Sequence, residues 1–191
     1  MCASKSPVRS ASQNRSVWRL NEVEMSESHL AYLSLGSNIQ PKINLIKAIQ
    51  LLQNHGRVEK ISSAWESQSV GAPGPNYLNA CVALITPLLQ EALKVQVLHP
   101  IEMELGRRRT TNKFDPRTMD IDIILFDDLS CHVKYWEQAF VVIPLAEIYP
   151  DYENPLNHES ITETATRFRK RVWIEARRGV LGQFSGNNFA A

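Results

Sequence analysis

Cysteine is scarce in this chain. Cys2, Cys81 and Cys131 are the whole supply among 191 residues. They are far apart and odd in number, which argues against a disulfide framework and against a cysteine-type metal site. A reducing compartment suits such a chain, and a cytoplasmic protein is expected. No apolar run is long enough to span a bilayer. Net charge is nearly absent too, at +1, so neither nucleic acid nor an acidic membrane is an expected partner of the whole chain. No segment repeats internally. What is present is an ordinary apolar share and a length that fits one domain with a proper core.

The two ends differ from the middle. Met1 to Arg19 holds many serines with Lys5, Arg9, Arg15 and Arg19, and no acid. Three readings stay open: a flexible tail, an organelle transit segment, or a true start at Met25. At the other end Arg167, Arg169, Lys170, Arg171, Arg177 and Arg178 form a basic cluster. Leu181 to Ala191 is rich in Gly and Asn and reads as loose. The expected division is a tail over 1–28, a central domain over 29–160 and a basic extension over 161–191.

Hydrophobic periodicity sets the elements between. His29 to Leu35 alternates as a strand, and Gly36-Ser37-Asn38 is a turn. Pro41 to His55 carries Leu45, Ile49 and Leu52 at helical spacing, with Gly56 as a stop. Val58 to Trp65 and Tyr77 to Ile85 read as strands, separated by the loop Gly71-Ala72-Pro73-Gly74-Pro75. Thr86-Pro87 reads as a cap and first-turn proline opening a second helix. Pro100 inside that helix predicts a kink or an early end. Met119 to Phe126 is a fourth strand, and Phe140 to Ile143 a short fifth. This order gives an α+β fold, a ferredoxin-like split βαβ sandwich. Its helices are expected on one face of a mainly antiparallel sheet, leaving the other face for ligand.

The most informative stretch is Asp120-Ile121-Asp122. Side chains alternate along a strand, so the two acids share a face, roughly 7 Å apart. Like charges at that distance favour a cation beside them. Oxygen ligands without Cys or His suit magnesium, which takes one or two carboxylates and shares the rest with phosphate and water. Arg117 lies just upstream, and Arg107-Arg108-Arg109 before it. Acid for metal beside arginine for anion is the composition of a phosphoryl-transfer site. A solvated acidic strand edge with surface arginines is the plainer alternative.

The surrounding words go further. Lys113-Phe114-Asp115-Pro116-Arg117-Thr118-Met119-Asp120-Ile121-Asp122-Ile123-Ile124 resembles the signature of the 6-hydroxymethyl-7,8-dihydropterin pyrophosphokinase family of the folate pathway. Tyr32 to Asn38, Asn76 to Ala80, Ile101 to Arg107 and Pro144 to Ile148 resemble further segments of it, in the right order. The last is expected as a strand-to-helix turn. The resemblance covers about Leu30 to Asp151. It implies transfer of pyrophosphate from ATP to the pterin hydroxymethyl group with loss of AMP, two magnesium ions, small-molecule substrates only, and a monomer. It implies Asp120 and Asp122 as metal ligands, and Arg107, Arg117, Asp120 and Asp122 as the catalytic set. It implies Glu102, Arg107, Arg109 and Arg117 on ATP, with His99 nearby. Ser67, Val70, Tyr77, Asn79, Phe114 and Phe140 are implied for the pterin, a flat heteroaromatic that needs ring faces and an amide at its edge.

The chain also departs from the family pattern. The segment between Phe126 and Phe140 is short, and Gln138 stands where the family has an arginine. His132 and Lys134 fall in that segment. Gln68 and Ser69 replace common prolines. A second reading follows: a weakened or inactive relative that binds ATP or pterin as a regulator. A third, RNA binding on the sheet, fits the basic C-terminal cluster but not two carboxylates on the open face.

Overall fold

The computed structural model describes residues 28–71, 73–108, 116–155 and 157–184. Its centre is a seven-stranded, antiparallel sheet in the order β6-β5-β1-β4-β3-β7, with β2 also on β4. The strands are β1 (His29–Ser37), β2 (Arg57–Ile61), β3 (Trp65–Ser67), β4 (Tyr77–Thr86), β5 (Asp120–Phe126), β6 (Leu129–Ser130) and β7 (Ile174–Ala176). The helices are α1 (Pro41–Leu52), α2 (Gln90–Leu93), α3 (His99–Glu104), α4 (Ala139–Ile148) and α5 (Ile161–Arg169).

Alternation in the two central strands builds two cores. Leu33 and Leu35 of β1, Ala80, Val82 and Leu84 of β4, and Ile121 of β5 pack on one face against α1 and the α2–α3 region. Tyr32, Cys81 and Ala83 point the other way, into a second core with α4 and α5. The β1–β5 register shifts between Tyr32 and Leu33. That bulge sends Ile124 and Leu125 together into the second core, as an extra residue in a ladder does.

The expected α+β class and mainly antiparallel sheet stand, but the helices do not keep to one face. Phe140 to Ile143, expected as a strand, lies inside α4, and Pro144 sits within the same helix. Val141 to Leu145 are all buried. A helix apolar on every side is stable only when covered, so α4 forms a second helical layer on the far face. A short run of aromatic and β-branched residues carries no period that separates strand from buried helix.

Other boundaries move for local reasons. The stretch read as one strand from Val58 to Trp65 is two, β2 and β3. Gly56 does not act only as a helix stop. A Cβ there would lie 2.4 Å from the Ile85 carbonyl oxygen, so the close approach of β2 to β4 requires glycine. Thr86 ends β4 instead of capping a helix; its Oγ1 accepts from the Leu88 N–H at 3.3 Å, and α2 starts only at Gln90. The break expected at Pro100 is a π-helical turn, Lys94–Leu98, just before it. The His99 N–H bonds back to the Lys94 carbonyl. The wider turn resets the register so that Pro100 falls in the first turn of α3, where its missing N–H costs little.

Residues 161–184, expected as an extension, fold onto the domain. Ser160 and Glu163 cap α5 reciprocally, as a capping box does. β7 pairs antiparallel with β3.

Candidate active site

The residues that alternate with the first core open onto the other face. Ser34 and Gly36 of β1, Tyr77 and Asn79 of β4, and Asp120 and Asp122 of β5 line one cavity of about 230 Å³. α4 covers the neighbouring part of that face and brings Phe140 to the rim, while Ser67, Val70 and Arg117 complete opposite walls. The side-by-side placement of the two acids follows from strand register, with Gly36 opposite Asp120 and Ser34 opposite Asp122.

One end of the cavity is charged. Asp120 is paired with Arg117 through Oδ2 and with Arg107 through Oδ1 at 2.5 Å. Arg107 also pairs with Glu102, whose Oε1 accepts the Ile121 N–H at 2.8 Å. Glu102 is 3% exposed, so a buried carboxylate is compensated by one guanidinium and one backbone donor. The result is an alternating chain Glu102–Arg107–Asp120–Arg117. Asp122 is exposed and has no ion pair among the described residues. Tyr135, from the short segment after β6, lies beside it. Burial first, and then the Asp122 charge, push the Tyr135 phenol well above its ordinary value.

The other end is flat and neutral. Asn79 is 3% exposed, and its Nδ2 donates to Ser67 Oγ at 3.0 Å and to the Trp65 carbonyl at 3.3 Å. Its Oδ1 faces Gly36, where a Cβ would stand 3.2 Å away. Glycine there leaves the amide its place in the strand. Tyr77 and Phe140 add aromatic surface, and Val70 is 72% exposed at the mouth.

Asp120 and Asp122 are oxygen donors of the kind a hard divalent ion takes, two carboxylates on one strand face, but Arg107 and Arg117 engage both oxygens of Asp120, and Asp122 is the exposed one of the pair. Among the described residues no group of three or more His, Cys, Asp or Glu could hold a metal. An ion here would take its remaining ligands from phosphate and water, as magnesium usually does.

Most of the expected residues therefore meet in one place. Ser67, Val70, Tyr77, Asn79, Arg117, Asp120, Asp122 and Phe140 share the cavity. Arg107 reaches it through Asp120. Glu102 does not line it; its carboxylate braces Arg107 and β5 from beneath. Arg109 and Phe114 lie outside the described residues. Gln138 sits just before α4 without a side-chain cap, and His132 Nδ1 accepts from the Lys134 N–H at 3.1 Å. Asn38, expected only as a turn residue, lines the cavity as well and bonds both the Arg117 N–H and the Pro75 carbonyl. No local pattern carries that role, because both partners are distant in sequence.

Comparison with known proteins agrees with this geometry. The model of the 7,8-dihydro-6-hydroxymethylpterin-pyrophosphokinase family matches residues 32–150. A Synechocystis protein named 2-amino-4-hydroxy-6-hydroxymethyldihydropteridine pyrophosphokinase is 37% identical over 148 residues, spanning 72% of this chain and 75% of its own. An Aquifex aeolicus protein of the same name is 34% identical over 142 residues, spanning 69% and 88%. A crystal structure of Plasmodium falciparum HPPK-DHPS superposes with a TM-score of 0.59 at 13% identity. That match covers 76% of this chain but 45% of the Plasmodium chain, and it speaks to the fold alone. Strand register, motif order and relatives point the same way, and the chain belongs to the 7,8-dihydro-6-hydroxymethylpterin-pyrophosphokinase family.

Proposed function

We propose that this protein transfers pyrophosphate from ATP to 6-hydroxymethyl-7,8-dihydropterin, releasing AMP, as a step of folate biosynthesis. Its family and its named relatives support the reaction. The observation that carries it to this chain is the single cavity with an amide and aromatic rings at one end and two carboxylates and an arginine at the other.

The neutral end holds the pterin. Asn79 meets the heterocycle edge from a strand interior that Ser67 and Trp65 keep rigid, and Phe140 and Tyr77 offer ring faces. The hydroxymethyl group then points toward β5. Its oxygen attacks the β-phosphorus, the bond from that phosphorus to the α-phosphate oxygen breaks, and AMP leaves with the electron pair while the hydroxyl releases its proton. Such a transfer is governed by positioning and charge neutralisation. Asp120 and Asp122 would hold the two magnesium ions that the resemblance implies, and such ions would supply charge neutralisation on the triphosphate. Arg107 and Arg117 pair with Asp120, and their planar forks are suited to the phosphate oxygens of ATP.

The test is AMP formation by purified protein given ATP, magnesium and the pterin, with Asp122→Asn alongside. AMP from the native protein but not from the variant supports the reading. Calorimetric ATP binding without AMP release would replace it with the regulatory alternative, which the short segment 127–139 favours.

A further inference from the structure

Arg177 lies outside the family-matched residues 32–150, yet it reaches the loop that walls the neutral end of the cavity. β7 places it there. Trp65 pairs with Ala176 and Ser67 with Ile174, and the Arg177 N–H extends the ladder to the Ala64 carbonyl at 2.7 Å. The Arg177 side chain then bonds Glu66 Oε2 through Nε and pairs with Glu175 through Nη1 at 2.7 Å. The other oxygen of Glu66 accepts from Asn76 Nδ2 at 2.8 Å.

The positions of Glu66 and Asn76 give this relay its meaning. Glu66 immediately precedes Ser67, and Asn76 immediately precedes Tyr77; both Ser67 and Tyr77 line the cavity. Between them runs the loop that contributes Ser69, Val70 and Gly74 to the same wall. One carboxylate therefore ties the start of the loop to its end. The bond from Asn76 and then the Arg177 guanidinium hold Glu66 below its ordinary acidity range, so the clasp is ionised at neutral pH. A partly exposed ion pair adds little stability by itself. Pinning both ends of a binding loop removes ordering that a ligand would otherwise have to impose.

We propose that Arg177 is a positioning residue for the pterin loop, acting through Glu66 and Asn76 to set affinity for the pterin without touching it and without altering affinity for ATP. The proposal rests on the assignment of the neutral end to the pterin. The charged end meets the loop by a separate route, through Asn38, which accepts from the Arg117 N–H at 2.7 Å and donates to the Pro75 carbonyl at 3.4 Å; neither bond involves Arg177 or Glu66.

The test is Arg177→Gln in the full chain, read by the Michaelis constants for both substrates and by amide hydrogen exchange. The pterin constant is expected to rise roughly three- to tenfold while the ATP constant stays within about twofold. Exchange at residues 68–71, Gly74, Asn76 and Tyr77 is expected to quicken while β1 and β5 keep their protection. Arg177→Lys, which keeps a cation near Glu66, is expected to recover most of the pterin affinity. A pterin constant unchanged in Arg177→Gln, or both constants rising together, overturns the proposal. Should Arg177→Gln not fold, Glu66→Gln is read by the same criteria. If the native protein makes no AMP, the assignment of function falls by itself; loop exchange then decides, and unaltered exchange in Arg177→Gln removes the relay as well.

Discussion

Asn38 and Arg117 grip each other through backbone and side chain together. The N–H groups of Asn38 and Ile39 both donate to the Arg117 carbonyl, at 3.0 and 3.3 Å. Asn38 Oδ1 accepts the Arg117 N–H at 2.7 Å, and its Nδ2 donates to the Pro75 carbonyl at 3.4 Å. A turn after β1 thereby fixes the approach to β5 and, with it, the guanidinium that pairs with Asp120.

Asn38 is 7% exposed and supplies the acceptor for the part-buried Arg117 N–H, which Asn38→Ala removes. Orphaning a buried donor costs about 1–3 kcal/mol. Thermal unfolding should report that loss, and turnover should fall more than pterin affinity because Arg117 is displaced at the charged end. A variant with native turnover would separate this clasp from the chemistry.

Asp120 and Asp122 should not behave alike. Asp122→Asn removes a carboxylate with no ion pair among the described residues, so folding stability should change little while turnover drops at least about a hundredfold. Asp120→Asn also frees Arg107 and Arg117 from a shared partner. Melting and AMP release measured side by side distinguish the two: loss of activity in both, loss of stability chiefly in Asp120→Asn.

Much of this site could be seen in the chain before it folded, and particular residues show why. Asp120 and Asp122 share a face because a strand alternates, and Ile121 and Ile123 mark that strand as buried. Asn79 stood out because amides are poor strand residues. Phe140 was placed at the pocket but on the wrong element, since Phe140 to Ile143 has no period to betray a helix. The same ambiguity concealed the second helical layer. The resemblance implies Glu102 on ATP; only the fold puts it beneath β5. Pairings such as Asn38 with Arg117, or Glu66 with Arg177, join residues far apart in the chain and leave no local pattern.

Glu102 makes the clearest contrast between support and catalysis. Its carboxylate pairs with Arg107 and receives the Ile121 N–H in the interior. Glu102→Ala leaves the buried Ile121 N–H without its acceptor and Arg107 with Asp120 as its remaining carboxylate, and orphaning a buried donor costs about 1–3 kcal/mol. Glu102→Gln keeps an acceptor for Ile121 and should retain the fold at a lower melting temperature. Denaturant unfolding of the three proteins checks the order native, Gln, Ala. A Glu102→Ala protein as stable as the native one would leave Glu102 only the ATP contact that the resemblance implies.

Acid should destabilise the fold through two carboxyls, Glu66 beside the loop that lines the cavity and Asp127 at the end of β5. Glu66 and Asp127 both sit below their ordinary values of 4.5 and 3.8. For Glu66 the causes are the Asn76 bond and then Arg177; for Asp127 they are the Leu30 N–H and then His29. A carboxyl with a depressed folded-state value binds fewer protons folded than unfolded. Its contribution is therefore complete above the unfolded value and is lost as pH falls through the folded one. Stability set by these two groups should be flat from neutrality to about pH 5 and decline below it. Arg177→Gln removes one cause of the Glu66 depression, so its melting curve should lose part of that acid dependence while the Asp127 part remains. Melting temperatures of native and variant protein between about pH 2 and 7 measure both, and parallel curves across that range would mean that the guanidinium does not hold Glu66 in its ionised form.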